Sequence, residues 1–428
     1  MKSLADNSIS SIVTDPPYGL KFMGKKWDYD VPSVEVFAEM LRVCRPGAML
    51  LCFGGTRTYH RLVVNIEDAG WEIRDSIQWI YGSGFPKSLD ISKAIDRQAG
   101  AEREVVGRSN RHGGGIVGAG SSYELPPEPH MTTAPATDAA KLWNGYGTAL
   151  KPAHELICVA MKPIDGTFAN NAIKWGQAGI NIDGCRVGVD PSVDDMMRTV
   201  VRKPRESQTW EQGSGFKNET NSRTGVPSQG RFPANLIHDG SPEVLALFPE
   251  TQSNSGNLTE KSGAYGSVYG KYGACASTGI TDSGSAARFF YCAKPSRAER
   301  NAGLDGMSEK MLRWSSGDKN PGSFQSANTN RNAQNFHPTV KPLSLMQYLV
   351  RLVKPPEGGV ILDPYAGSGT TMCACILEGV QGITIERDAE YLPIIKGRIA
   401  FFMNGGRPVF DEEEQKQIDA EAAQGKLF

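Results

Sequence analysis

The chain lacks most of the features that would place a protein in a special class. Its eight cysteines stand at 44, 52, 158, 185, 275, 292, 373 and 375, and no two form a C-x-x-C pair. The closest pair, Cys373 and Cys375, has the wrong spacing for a zinc knuckle. Reduced, mostly buried thiols in a cytoplasmic protein are expected, with no metal site. No cysteine follows a proline, so a Pro-Cys nucleophile is missing. No run of 18 apolar residues is present, and the opening MKSLADNSIS has no apolar core of a secretion signal. Charge of one sign is also missing. Lys and Arg total 46 against 47 Asp and Glu, for a net charge of −1. A nucleic-acid partner would therefore be held by local basic patches, not by the overall field. One such patch is Arg198, Arg202, Lys203, Arg205, Lys217, Arg223 and Arg231, opposed over that stretch by only Glu206, Glu211 and Glu219. No internal repeat of solenoid period occurs.

What is present reads as an α/β protein. With 428 residues, 39% hydrophobic and 22% charged, the chain suits a globular protein of two to three domains. ISSIVT (9–14) predicts a buried strand that stops at Asp-Pro-Pro. The apolar spacing of Val36, Phe37, Met40, Leu41 and Cys44 predicts a helix over 32–44, with Ser33 as N-cap. AMLLCF (48–53) predicts a second strand, 57–69 a helix and WEIRDSIQWIY (71–81) a third strand. Glycines and prolines over 107–147 predict a long loop or lid. HELICVAM (154–161) predicts an apolar strand, PANLIHD (233–239) a short strand, PEVLALF (242–248) a short helix and ARFFYCA (287–293) a strand. LSLMQYLVRLV (343–353) predicts an amphipathic helix, and 358–388 reads strand, glycine turn, helix, strand. Strands alternating with helices predict a largely parallel sheet.

Two loops carry the chemistry. The first is Asp363-Pro364-Tyr365-Ala366-Gly367-Ser368-Gly369-Thr370-Thr371, after the strand VILD. Its glycines allow close backbone approach to a ligand, and the following helix offers its N-terminus. It has no Gly-Lys-Ser/Thr and so is not a P-loop. Glu386, at the end of the next strand, is placed to accept hydrogen bonds from both hydroxyls of a ribose. The second loop is Asp15-Pro16-Pro17-Tyr18. An exocyclic amine on a nucleic-acid base is a poor nucleophile, because its lone pair is delocalised into the ring. The Asp15 carboxylate and the Pro16 carbonyl can each accept one of its N–H groups and localise that pair. Proline has no N–H and a fixed φ, so Pro16 and Pro17 make the loop stiff and acceptor-only. Tyr18 can stack on a base flipped out of the helix.

TDPPYG (14–19), HPTVKP (337–342) and LDPYAGSGTT (362–371), in that order, resemble the signature set of β-class DNA amino-methyltransferases, the N6-adenine and N4-cytosine family. WNGYGTALKPAHELICVAMKP (143–163), NIDGCRV (181–187), GRFPANLIHD (230–239) and ARFFYCAKPSRAERNAGL (287–304) resemble enzymes of this family found in phages and prophages. The resemblance implies a Rossmann-like, circularly permuted, seven-stranded fold that binds S-adenosyl-L-methionine. It places the cofactor on Asp363, Pro364, Ala366, Gly367, Ser368, Gly369, Thr370 and Glu386. Thr339 and Lys341 fall in the segment that approaches the methionine end, and His337 precedes it. Catalysis falls on Asp15, Pro16, Pro17 and Tyr18. Relatives carry a further strand and an acidic Gly-Asp motif just upstream of the catalytic strand. The residues before TDPPYG are too few for it, so another segment completes that pocket or the start is truncated.

The implied organisation is a catalytic half over 1–106, a Gly/Pro-rich loop over 107–147 and a further strand segment over 148–163. An inserted target-recognition region follows over 164–286, then a cofactor-binding half over 287–410 and a charged tail over 411–428. The implied activity is site-specific methylation of adenine N6 in double-stranded DNA, by base flipping and direct in-line attack. Asp in the first tetrad position favours adenine, while Ser is commoner in N4-cytosine enzymes. N4-cytosine methylation stays open, as do an RNA or protein amine substrate and a non-catalytic DNA-binding relative. A homodimer is compatible with this reading, and a membrane partner is not expected.

Overall fold

The computed structural model describes residues 1–20, 28–82, 84, 88–109, 130–188, 230–252, 283–293, 297–311 and 332–406. The chain forms two compact units. One comprises Met1–Asn181, Asn235–Val244 and Cys292–Phe428, and the other Ile182–Ala234 and Leu245–Tyr291. The region 164–286 is thus shared between them: 164–181 and 235–244 fall in the first unit.

The first unit is built on one mixed sheet. Its strands are β1 (Ile9–Thr14), β2 (Cys44–Gly54), β3 (Glu72–Ile80), β4 (His154–Met161), β5 (Leu236–His238), β6 (Tyr291–Cys292, at the unit boundary), β7 (Val360–Asp363) and β8 (Gln381–Thr384). They run in the order β6-β5-β3-β4-β2-β1-β7-β8. The sheet thus has eight strands where the resemblance implies seven, and the edge strand β6 is only two residues long. β1 pairs in parallel with β2 and with β7, and β7 with β8. β4 is antiparallel to both β2 and β3. This is the Rossmann-like α/β class, with the reversed strand β4 set between β2 and β3.

β1 is buried along its whole length. A strand with parallel neighbours on both sides and cover on both faces needs no apolar–polar alternation: Ile9, Ile12 and Val13 pack in the core, and the equally buried Ser10, Ser11 and Thr14 are hydrogen-bonded. Two helices, α1 (Val34–Val43) and α2 (Tyr59–Asp68), cover the sheet. Phe37, Met40, Val43, Leu62 and Ile66 pack with Ile9, Ile12, Leu50 and Cys158 in one cluster. α3 (Leu343–Val353) buries eight side chains, and its Val353 carbonyl accepts a hydrogen bond from Ser11 Oγ at 3.0 Å. α4 (Thr370–Leu377) follows the glycine loop, and α5 (Leu392–Met403) closes the described C-terminal part.

Several predicted elements differ in detail. β2 begins at Cys44 and not at Ala48, because Cys44 pairs with Ile9 and Met49 with Ser11. The register shift between them is a bulge, which tolerates Pro46 in a strand. Gly47 lies within it at φ +77°. The segment 107–147 is not a uniform loop. Val105–Ser109 pairs antiparallel with His130–Thr133, and Asp138–Leu142 is a short helix capped by Thr137. ARFFYCA is mostly not strand, since Ala286–Phe289 forms a 3-10 turn and only Tyr291–Cys292 is extended. Ser285 Oγ accepts from the Ala287 N–H there and stabilises the turn. The middle of the 107–147 segment and the 411–428 tail lie outside the described residues.

In the second unit, Glu250–Gln252 pairs antiparallel with Ser283–Ser285, and Val187 bridges to Arg231. The Phe289 ring lies between two guanidinium groups, Arg288 at 4.4 Å and Arg231 at 4.9 Å. Of the basic patch read from the sequence, only Arg231 is among the described residues.

The cluster around Phe37 makes a stability prediction. Phe37→Ala should destabilise the fold by about 3–5 kcal/mol, whereas Val64→Ala on the half-exposed face of α2 should cost under about 0.5 kcal/mol. Chemical denaturation of the two variants beside the parent measures both.

Candidate active site

The two chemical loops leave the sheet side by side. β1 and β7 are adjacent and parallel, with Ile12 opposite Leu362, so Asp15 and the 363–371 loop emerge at the same edge. β2 leads away from β1 on one side and β8 from β7 on the other. Such a reversal of strand order opens a crevice at the carboxyl ends of the strands, the usual ligand position in an open α/β sheet. A direct bond joins the loops: Thr14 Oγ1 donates to Asp363 Oδ1 at 2.7 Å.

Asp15 sits in a compact polar cluster. The Tyr18 hydroxyl oxygen lies 2.8 Å from Asp15 Oδ1 and 2.9 Å from Glu155 Oε2. Lys341 Nζ donates to Asp15 Oδ2 at 2.8 Å and lies 3.1 Å from the Tyr18 hydroxyl. It also lies 3.1 Å from Glu155 Oε2. Burial works against the Lys341 ammonium, but the Asp15 and Glu155 carboxylates outweigh it and hold its pKa above the ordinary value. Burial and the same two carboxylates push the Tyr18 phenol well above its usual range. Lys341 and Tyr18 are therefore charged and neutral, respectively, at neutral pH.

The 15–18 loop is held from behind. Asp28 Oδ1 accepts the Tyr18 N–H at 2.7 Å and the Gly19 N–H at 3.0 Å. Thr58 Oγ1 donates to the Tyr18 carbonyl. The Tyr18 ring packs on Gly55, where an added Cβ would lie 3.0 Å from Tyr18 Cδ2.

The glycine loop is held as firmly. Glu386 accepts the Gly367 N–H on one carboxylate oxygen and the Asp388 N–H on the other, both at 2.8 Å. Gly367 is left-handed at φ +54°, and a Cβ there would meet the His337 ring at 3.0 Å. His337 Nδ1 lies 2.8 Å from the Thr339 carbonyl, which keeps the ring against the loop. Beneath the loop, the fully buried Arg398 donates through Nη1 to the Ser368 carbonyl, Ser368 Oγ and Thr370 Oγ1 at 2.8–3.0 Å. Asp363 is 3% exposed, and burial raises its carboxyl to about 6 against the hydrogen bonds it accepts.

The structure therefore brings Asp15, Tyr18 and Lys341 into direct contact, and gathers Asp363, Gly367, Ser368, Thr370 and Glu386 around one turn. Lys341, placed by the resemblance near the methionine end of a cofactor, directs its ammonium to the Asp15 carboxylate. Glu155, Asp28 and Arg398 are absent from the sequence reading. Glu155 was detectable in principle as an acidic residue at the mouth of an apolar strand. Asp28 and Arg398 carry no motif. Among the described residues, no group of three or more His, Cys, Asp or Glu is placed to hold a metal ion, and no helix is long and apolar enough to cross a membrane.

A family model described as DNA methylase, of the N6/N4 methyltransferase class, matches residues 9–397. The chain belongs to this N6/N4 DNA methylase family. Among individual relatives it is 37% identical over 87 residues to the type II methyltransferase M2.MboI of Moraxella bovis, covering 20% of this chain and 32% of that protein. It is 41% identical over 56 residues to the DNA adenine methyltransferase YhdJ of Escherichia coli (strain K12), covering 13% and 19%. The chain thus spans about a third or less of the length of these curated relatives. Of solved structures, the PvuII cytosine-N4-specific DNA methyltransferase aligns over 95% of this chain and 89% of its own, at 12% identity and TM-score 0.38. The M1.HpyAVI complex with SAM aligns over 93% and 90%, at 13% identity and TM-score 0.35.

The buried Asp363 makes stability depend on pH with a definite sign. Its folded pKa of about 6 exceeds the ordinary 3.8, so between these values the folded chain binds a proton that the unfolded chain has lost. Stability from this group is therefore lost as pH rises from about 4 to about 6, and the penalty persists above. Asn at this position can still accept from Thr14 and the Tyr365 N–H. Asp363→Asn should be more stable than the parent at pH 7, by up to about 3 kcal/mol, and equal to it near pH 4. Urea titrations across this range measure the gap, and a gap independent of pH would contradict the assignment.

Proposed function

We propose that the chain transfers the methyl group of S-adenosyl-L-methionine to the exocyclic N6 of adenine in double-stranded DNA. The observation that carries this reading is the junction of the two loops through Thr14 and Asp363 at neighbouring strand ends. It sets an acceptor-rich loop for an amine beside a glycine turn with an acidic partner for a ribose.

The residues fit the cofactor. Glu386 is fixed by two backbone N–H groups, and each of its oxygens retains lone-pair capacity for a ribose hydroxyl. Gly367 and Gly369 are both left-handed, a backbone conformation that suits glycine, and a side chain at either would run into His337 or Ile395. Asp363, Pro364, Ala366, Ser368 and Thr370 complete that turn, with Thr339 and Lys341 on the segment beside it. When bound, S-adenosylmethionine supplies an electrophilic methyl on a sulfonium.

The protein's part is positioning and preset electrostatics. Asp15 accepts one amine N–H and the Pro16 carbonyl the other, while Pro17 keeps the loop stiff. The nitrogen lone pair is thereby freed to attack in line. The Tyr18 ring offers a base a stacking surface, with its hydroxyl tied to Asp15. Flipping the base costs a few kcal/mol, which contacts to the duplex must offset. Residues of the second unit are the proposed recognition region, with the Arg231–Phe289–Arg288 stack among its basic and aromatic groups.

Asp in the first tetrad position favours adenine over cytosine. DNA from cells expressing the protein, digested to nucleosides and analysed by mass spectrometry, should contain N6-methyladenine. N4-methylcytosine in its place would replace the adenine assignment, and unmodified DNA with cofactor bound would point to another substrate. Asp15→Ala should abolish transfer and leave cofactor binding, measured by calorimetry, within about threefold of the parent, since catalytic loss here is a transition-state effect.

A further inference from the structure

Glu155 has no part in the reaction as described, yet it touches two groups that touch Asp15. It is the second residue of β4, the reversed strand between β2 and β3. Because β4 is antiparallel to β2, its first residues lie where β2 ends: Leu156 pairs with Gly54 and Ile157 with Phe53. The amino end of β4 therefore shares the sheet edge from which Asp15 emerges. This topology delivers a second carboxylate to the site from a distant part of the chain.

The charge count of the cluster is informative. Asp15 and Glu155 contribute two carboxylates and Lys341 one ammonium, for a net charge of −1 in a setting where the three side chains are 10–21% exposed. The hydrogen count is informative too. The Tyr18 hydroxyl has one hydrogen but lies within 2.9 Å of a carboxylate oxygen of each acid. It can donate to only one of them. The other close oxygen pair has room for one more hydrogen between its atoms.

Methyl transfer to an amine requires somewhere for one proton to go. The N–C bond forms as the S–C bond breaks, the sulfonium becomes a neutral thioether, and the amine nitrogen takes the positive charge until it loses a proton. We propose that Glu155 is a positioning residue that keeps the Asp15–Lys341 cluster at net −1 and receives, through Asp15 and the Tyr18 hydroxyl, the proton released by the methylated amine. Asp15 takes that proton from the amine, Tyr18 passes its own hydroxyl hydrogen to Glu155 and accepts the one on Asp15. The cluster ends neutral, with charge and atoms balanced. Without the Glu155 charge, Lys341 falls wholly to Asp15, and Asp15 becomes a weaker acceptor for the amine. The inference rests on the amine-methylation reading above.

Glu155 contacts Tyr18 and Lys341 directly and Asp15 only through them, and Tyr81 feels both Glu155 and Lys341. Cys52 and Asp363 lie behind Asp15 and feel its charge. The test is single-turnover methyl transfer from labelled S-adenosylmethionine to DNA bearing the modified site, followed against pH for the full chain, Glu155→Gln and Glu155→Asp. Glu155→Gln keeps the size and an acceptor but not the charge. It should slow transfer about a hundredfold near pH 7, the usual scale for a proton-handling group, with cofactor affinity by calorimetry within about twofold. Its rate should climb with pH over a range where the parent is flat, as solvent takes over the proton, and Glu155→Asp should recover most of the loss. Glu155→Gln at the parental rate overturns the proposal, and so does a slowed variant whose pH profile matches the parent's. A parent that methylates no nucleic acid overturns instead the reading beneath it.

Discussion

The parallel pairing of β1 with β7 is the constraint on which the rest depends. It sets two loops that lie about 350 residues apart in the sequence against each other, with Ser11 opposite Ile361 and Ile12 opposite Leu362. A one-residue slip would turn every side chain of β1 to the opposite face, and the Thr14–Asp363 bond would be lost with it. The polar side chains of β1 oppose that slip, because Ser11 Oγ reaches the Val353 carbonyl and Thr14 Oγ1 reaches Asp363 in this register. The packing of β1 against β7 therefore determines the distance between Asp15 and the glycine turn, and core packing and site geometry are one problem in this fold.

The polar cluster is held by similar logic. Lys341 is charged in spite of its burial because two carboxylates from different strands meet it. A buried ammonium left with no carboxylate partner would be strongly destabilising. The cluster is thus a closed unit in which each member fixes the others, and Asp28 and Thr58 fix the backbone beneath it. Arg398 plays the matching role below the glycine loop, where one guanidinium nitrogen satisfies three oxygens of Ser368 and Thr370.

Much of this was legible in the residues. The strands 9–14, 154–161 and 360–363 and the helix 343–353 follow the pattern read from them, because each is an apolar run of the right length with clear stop signals. The bounds of β2 were not legible, because a bulge around Pro46 and Gly47 depends on the partner strand. ARFFYCA has the composition of a strand but turns at Ala286–Phe289, where a serine side chain offers the backbone a local alternative. At the site, contiguous motifs identified Asp15, Tyr18 and the glycine turn. Glu155 and Arg398 escaped because their importance lies in what the topology sets beside them. The reversed strand β4 is invisible in a list of strands and decisive in three dimensions.

The long separation of β1 from β7 also bears on how the protein is made. During synthesis β1 can pair with β2 within some fifty residues, but its other edge waits for a strand encoded more than three hundred residues later. Until then the centre of the future sheet is a bare apolar edge, the kind of surface that recruits strands from other chains. Contacts of such long range are also the slow ones to form. The two halves of the site can therefore meet only once β7 has been made. Shielding by chaperones would matter most for the N-terminal half, before the second loop has been made.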